Sequence, residues 1–220
     1  MKREVIKTSD GSTTIYLKDI DEHYHSKHGA INEAYHVFIR NGLDIIQSKE
    51  ASILEIGFGT GLNAFITLLE AEKRDLKIKY DGVEAYPVSE NEIKLLNFMN
   101  ELKVENKTSL FNLMHHCIWG SRNDITNYFN LKKRKQSFFE IDDQNTFDLI
   151  YFDAFGARVQ PELWTDVIFL KMYTALKPRG ILVTYAAKGS VRRTMLKVGF
   201  SVERLPGPPG KREMLRATKS

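Results

Sequence analysis

An α/β fold with a mostly parallel sheet and helices on both faces is predicted by three features of this 220-residue chain. Strand-like apolar runs alternate with helix-period segments, an order that requires crossover connections between parallel strands. One run opens into glycines at alternate positions, Gly57, Gly59 and Gly61. Two others close in acids, Glu84 and Asp153, so Gly57, Glu84 and Asp153 all fall at carboxyl ends of strands, where such sheets bind ligands.

The elements follow in order. Residues 1–20 alternate weakly around Asp10-Gly11-Ser12, with Thr14-Ile15-Tyr16-Leu17 the clearest stretch, and predict a short hairpin outside the main domain. From Gly29, the residues Ile31, Ala34, Tyr35, Phe38 and Ile39 recur at helical spacing, with Asn32, Glu33, His36 and Arg40 on a polar face. The chain is therefore divided into an N-terminal extension, 1–48, and a main domain, 49–220. Ile53 to Asn63 reads as strand, tight loop and helix start, continued by Ala64, Phe65, Leu68 and Leu69. Lys79–Glu84 is a second strand. Helical periodicity returns over 88–103 through Val88, Ile93, Leu96 and Met99, and a strand is expected from Ile125 to Leu131.

Phe147–Phe152 is the clearest buried strand. A helix from Trp164 to Leu176 should stop at Lys177-Pro178, because proline cannot continue it. Gly180–Tyr185 is another strand, and a basic helix covers 189–198. Phe200–Arg204 and Glu213–Ala217 flank Pro206-Gly207-Pro208-Pro209-Gly210 as a C-terminal antiparallel hairpin.

Composition narrows the class. No apolar run reaches the roughly 18 residues of a bilayer span, and Met1-Lys2-Arg3-Glu4-Val5 does not open a signal peptide. A cytoplasmic protein with no membrane partner is expected. Cys117 is the single cysteine, which excludes an internal disulfide. His115-His116-Cys117 lacks a second ligand pair, so no metal is expected. The net charge of +4, with basic residues at Lys132-Lys133-Arg134-Lys135 and toward the C-terminus, fits either a polyanionic partner or a solvated face.

The loop spacing E-x-G-x-G-x-G, starting at Glu55, differs from the dinucleotide fingerprint G-x-G-x-x-G and favours S-adenosylmethionine over NAD. Glu84 lies about 20 residues beyond the loop, the offset of an acid that binds ribose hydroxyls. Asp153 at the pocket mouth suits orienting an amine nucleophile or taking its proton, since an alkylammonium has no lone pair to attack with. Phe155 and Trp164 are suited either to stacking on a base or to an ordinary core.

Together these motifs resemble the methyltransferase family of the bifunctional MnmC proteins, which make 5-methylaminomethyl-2-thiouridine in tRNA, and in particular its stand-alone MnmD form. The resemblance rests on Leu54 to Asn63, on Phe152-Asp153-Ala154-Phe155 with Gln160-Pro161-Glu162-Leu163-Trp164, and on Lys188 to Arg193 and Gly210 to Leu215. Near the N-terminus it rests on His23-Tyr24-His25-Ser26 and on Glu33 with His36-Val37-Phe38. It implies a Rossmann-like class I methyltransferase domain over 49–220. S-adenosylmethionine would be held by Glu55, Gly57, Phe58, Gly59, Thr60, Gly61, Asn63, Glu84 and Ala85, with its methyl group toward the catalytic Asp153. Where the family presents an acid to adenine this chain has Gln136-Ser137, either of which would hydrogen-bond adenine instead, and Gly156-Ala157 replaces the family's Ala-Pro; Asp153 would also contact the cofactor. The acceptor would be the 5-aminomethyl group of wobble 5-aminomethyl-2-thiouridine, bound by Tyr24, Ser26, Glu33, Phe155, Trp164, Tyr185 and Lys188. Arg192, Arg193, Lys211 and Arg212 would meet the tRNA backbone. The family's FAD-dependent oxidase half has no room here, so any oxidase acting upstream would be a separate protein. The alternatives are a methyltransferase for another amine, a spermidine synthase-like aminopropyltransferase using decarboxylated S-adenosylmethionine, and an RNA-binding module with a vestigial nucleotide fold.

Overall fold

A computed structural model describes residues 2–220. Near the N-terminus, β1 (Arg3–Lys7), β2 (Thr13–Leu17) and β3 (Glu22–His23) form a three-stranded antiparallel sheet, and β1–β2 is the hairpin expected around Asp10-Gly11-Ser12. α1 (Ala30–Ala34) then loosens into a π-helical segment over Tyr35–Arg40. The remaining elements are β4 (Glu50–Ile56), α2 (Leu62–Arg74), β5 (Lys77–Val83), α3 (Glu90–Ile93), α4 (Phe98–Glu101), α5 (Thr108–His116), β6 (Arg122–Asp124) and β7 (Phe129–Arg134). They are followed by β8 (Phe147–Phe152), α6 (Asp166–Ala175), β9 (Leu176–Thr184), α7 (Gly189–Lys197), β10 (Phe200–Pro206) and β11 (Glu213–Lys219).

The main sheet has eight strands in the order β10-β11-β9-β8-β4-β5-β7-β6. Its five central strands, β9 to β7, are parallel, and both edges are antiparallel. From Leu149 on, β8 alternates between two cores, and a register irregularity between Phe147 and Leu149 turns Phe147 to the second of them. Leu149 and Tyr151 enter a core with Phe38, Phe65 and Phe111. Phe147, Ile150 and Phe152 enter a second core with Ile168, Phe169 and Met172 on the opposite face.

Besides β9, which opens at Leu176 rather than Gly180, three segments depart from the sequence expectation. The periodic stretch 88–103 is two short helices, not one. Ser89 and Glu92 form a capping box that starts α3, but Asn97 is tied to the hairpin. Its Oδ1 accepts from the Thr13 amide at 2.7 Å and its Nδ2 donates to Gly11 O at 2.9 Å. Its backbone amide donates to Thr13 Oγ1 at 3.0 Å instead of to a helical carbonyl, which takes Asn97 out of the ladder. Second, Ile125 to Tyr128 is a turn, with the Ile125 and Thr126 amides donating to Phe129 O; the strand begins at Phe129. Third, the basic run is not a solvated face throughout. Lys133 and Arg134 are buried: Lys133 donates to His115 O and lies 4.8 Å from the Trp119 ring centroid, and Arg134 pairs with Asp143 at 2.7 Å.

Candidate active site

The carboxyl ends of β4, β5 and β8 converge at one point. Amides of Gly57 and Phe58 both donate to Val83 O at 3.0 Å, and the Asp153 amide donates to Ile56 O at 2.9 Å. Gly57 has φ 92, and a Cβ there would stand 2.7 Å from Asp153 O. The loop can approach β8 only because that side chain is missing. At Gly59, φ is 48 and a Cβ would press to 3.1 Å on the Tyr24 ring.

Two cavities meet here. The first, about 240 Å³, is walled by Gly57 to Thr60, Asn63, Glu84, Ala85 and Tyr86, with the side chains of Ser137, Phe138, Phe139 and Leu163 opposite. The second, about 770 Å³, is walled by Glu22 to His28, Glu33, Tyr185 to Lys188, Lys211 and Arg212. Tyr24, His25, Asp153, Ala154 and Phe155 belong to both. The rings of Tyr24 and Phe155 meet edge to face at 5.1 Å and so narrow the passage beside Asp153.

Asp153 is held by Asn63, whose Nδ2 donates to Asp153 Oδ2 at 2.8 Å and to Glu55 Oε1 at 2.9 Å. Burial, reinforced by the nearby charge of Glu33, pushes Asp153 up to about 7 against the lowering effects of Asn63 and Lys211. Burial also lifts Glu55 well above the usual carboxylate range. Glu55 lies behind the first cavity, supporting Asn63. Glu84 spans the loop mouth, with Oε2 accepting from Gly59 N at 3.0 Å and Oε1 from Tyr86 N at 2.8 Å.

In the second cavity Lys211 Nζ pairs with Glu33 Oε2 and lies 3.8 Å from the Tyr185 ring centroid. Glu33 Oε1 accepts from the Ser26 amide at 3.1 Å. The Tyr185 hydroxyl donates to Ala154 O at 2.8 Å. Glu33 is therefore buried rather than on a solvated helix face, and Lys211 is already paired, not free for a phosphate backbone.

Other assignments divide. Gly61 caps α2 with φ 72. Gln136 does not line the first cavity, because its Oε1 accepts from Arg134 Nε at 3.3 Å. Ser137 does line it, while its Oγ accepts from Phe139 N at 3.3 Å and caps a turn. Trp164 is core, packed on Phe152 and Phe169, and its Nε1 donates to Phe155 O at 2.8 Å. It anchors the loop and offers no stacking face. Lys188 and Arg212 rim the second cavity; Arg192 and Arg193 lie on α7 outside its wall. Sequence reasoning missed His25, Phe138 and Phe139. His25 is placed by Thr14 and Thr60, residues on two other segments; in the sequence that stretch was marked by the resemblance over His23-Tyr24-His25-Ser26, which gave the ring no role.

The first cavity suits S-adenosylmethionine. Among the described residues Asn63 Oδ1 is a buried acceptor without a partner, matching an ammonium. Each Glu84 oxygen receives one amide in the structure and retains capacity for a ribose hydroxyl. Phe138 and Phe139 offer apolar surface to a base, and the acids Glu84 and Asp153 suit a cationic ligand.

A family model described as S-adenosyl-L-methionine-dependent methyltransferase matches residues 129–220. The protein described as tRNA 5-methylaminomethyl-2-thiouridine biosynthesis bifunctional protein MnmC from Leptospira borgpetersenii is 31% identical, over 89% of this chain and 32% of that protein. The protein of the same description from Hydrogenovibrio crunogenus is 26% identical over 88% of this chain and 31% of its own length. The chain thus spans about a third of the length of these curated relatives. Among solved structures, MNMC2 from Aquifex aeolicus superposes with a TM-score of 0.79 at 24% identity, over 100% of this chain and 70% of that one. Spermidine synthase from Thermotoga maritima gives 0.61 at 15% identity, over 99% and 69%. The two superpositions show a shared fold. By the family model over residues 129–220 and the curated relatives, the chain is similar to the MnmC methyltransferases and is an S-adenosylmethionine-dependent methyltransferase.

Proposed function

We propose that this enzyme methylates the primary amine of 5-aminomethyl-2-thiouridine at the wobble position of tRNA, giving 5-methylaminomethyl-2-thiouridine. The observation that carries the reading is the position of Asp153 in the wall common to both cavities. A donor in one and an amine in the other would meet at its carboxylate. The relatives' description, biosynthesis of 5-methylaminomethyl-2-thiouridine in tRNA, supports an exocyclic amine on a uridine as the acceptor.

Bound S-adenosylmethionine supplies a methyl group on a positively charged sulfur, open to in-line attack. The chain supplies alignment, the main requirement of such a transfer. Asn63 fixes the Asp153 carboxylate from beneath. Asp153 binds the incoming amine and accepts the proton that must leave before nitrogen can attack. Its value of about 7 matches a proton acceptor working near neutrality. The aromatic pair Tyr24–Phe155 lines both cavities beside Asp153. Lys188 and Arg212 at the rim of the second cavity, with Arg193 on α7, place positive charge where a polyanion would lie.

The test is mass spectrometry of nucleosides from tRNA lacking this methyl group, incubated with the protein and S-adenosylmethionine. Conversion of the 5-aminomethyl nucleoside is the expected result. Methylation of small amines without conversion of the tRNA would overturn the substrate assignment.

A further inference from the structure

We propose that Thr14 and His25 are positioning residues that make the Thr60 hydroxyl a hydrogen-bond donor into the first cavity, where it selects a donor molecule carrying a carboxylate. The inference rests on that cavity being the S-adenosylmethionine site.

The argument is a chain of proton directions. Thr14 Oγ1 accepts from the His25 amide at 3.0 Å and lies 3.1 Å from Nδ1 of the same residue's ring. Thr14 is 0% exposed, and among the described residues the ring nitrogen is the acceptor within reach of its hydroxyl, so its own proton goes to Nδ1. Nδ1 is then an acceptor, and a neutral imidazole that accepts at Nδ1 carries its proton on Nε2. Burial keeps the ring neutral, holding it down at about 4. Nε2 lies 3.2 Å from Thr60 Oγ1, so Thr60 accepts there and its proton remains to be given. Thr60 is 1% exposed and lines the first cavity.

What would receive that proton follows from the neighbours. Asn63, three residues on, offers Oδ1, an acceptor unpartnered among the described residues. A hydroxyl donor beside an amide acceptor complements the carboxylate and ammonium of an amino-acid tail. The carboxyl groups in the same wall, Glu84, Asp153 and Glu162, repel an anion, so a carboxylate there needs a dedicated donor. The same site then disfavours decarboxylated S-adenosylmethionine, the co-substrate of aminopropyl transfer.

The test is calorimetric binding of S-adenosylmethionine and of its decarboxylated form to wild type, Thr60→Val, His25→Phe and His25→Gln. Thr60→Val and His25→Phe should weaken S-adenosylmethionine by roughly ten- to hundredfold, the scale of one hydrogen bond to a charged group, and leave the decarboxylated ligand nearly unchanged. His25→Gln, whose amide can both accept and donate, should recover part of the loss. Equal losses for both ligands, or no loss, would overturn the proposal. Nitrogen-15 spectra of the free protein provide a second reading: a neutral His25 protonated at Nε2 is expected, and protonation at Nδ1 would overturn it. Failure of wild type to bind S-adenosylmethionine would defeat the donor-site reading together with this one. Wild-type binding with unselective variants would defeat this one alone.

Discussion

Asn63 and Asp153, 90 residues apart, are joined by a 2.8 Å hydrogen bond from Nδ2 to Oδ2. The same nitrogen also reaches Glu55. One neutral amide therefore links the buried Glu55 to the half-buried Asp153, and desolvation is the main cause that raises both acids.

Removing Asp153 should separate chemistry from donor binding. Asp153→Ala is expected to slow transfer by about 10²- to 10⁴-fold, the usual worth of a positioned proton acceptor, with S-adenosylmethionine affinity near wild type. Single-turnover rates beside calorimetry check this. An affinity loss as large as the rate loss would contradict the assignment.

Acidity gives a second expectation. The transfer rate at saturating substrates should climb as pH rises through about 7, where Asp153 loses its proton, and Asp153→Asn should flatten that limb. Stability moves the other way. The folded state holds the proton up to about 7, while the ordinary value is 3.8. Folded protein thus binds more protons than unfolded between those values, and stability falls as pH rises through that window. Asp153→Asn should raise the melting temperature at pH 8 and change it little at pH 4, as thermal unfolding at both pH values would show. Glu55, shifted in the same direction, leaves a residual slope.

Glu84→Ala should weaken S-adenosylmethionine roughly ten- to hundredfold, because ribose hydroxyls would lose a charged acceptor. It also frees the Gly59 amide that Glu84 holds. Isothermal titration measures the loss, and unchanged affinity would place the ribose elsewhere.

The basic residues should divide into two groups. Lys211→Ala strands the buried Glu33 carboxylate and should cost about 1–3 kcal/mol of stability, below the full buried-pair penalty because Lys211 is 31% accessible. Arg193→Ala and Arg212→Ala, both at exposed positions, should leave stability alone. Each should lower the salt slope of tRNA binding by about one. Denaturant titration and filter binding across salt concentrations distinguish the groups.

Local chemistry was legible and long-range pairing was not. Gly57, Gly59 and Gly61 after an apolar run sufficed for the loop, and the alternation of strand-like runs with helical segments sufficed for a sheet covered on both faces. Glu33 looked solvent-facing because helical periodicity reports only one element. Its burial depends on Lys211, 178 residues away. The helix expected over 88–103 failed for the same reason, since Asn97 answers to the hairpin around Gly11. Lys133 and Arg134 read as surface charge, yet their partners His115 O and Asp143 lie on other segments. α5 went unread because 104–146 has little patterning of its own.

The turn between β10 and β11 supplies Lys211 to a cavity whose opposite wall comes from the first forty residues. During synthesis the glycine loop and β8 can assemble once residue 153 has emerged, but the chamber for the acceptor stays incomplete until the last hairpin docks. Entry of an acceptor amine to Asp153 therefore depends on the last turn of the chain being in place.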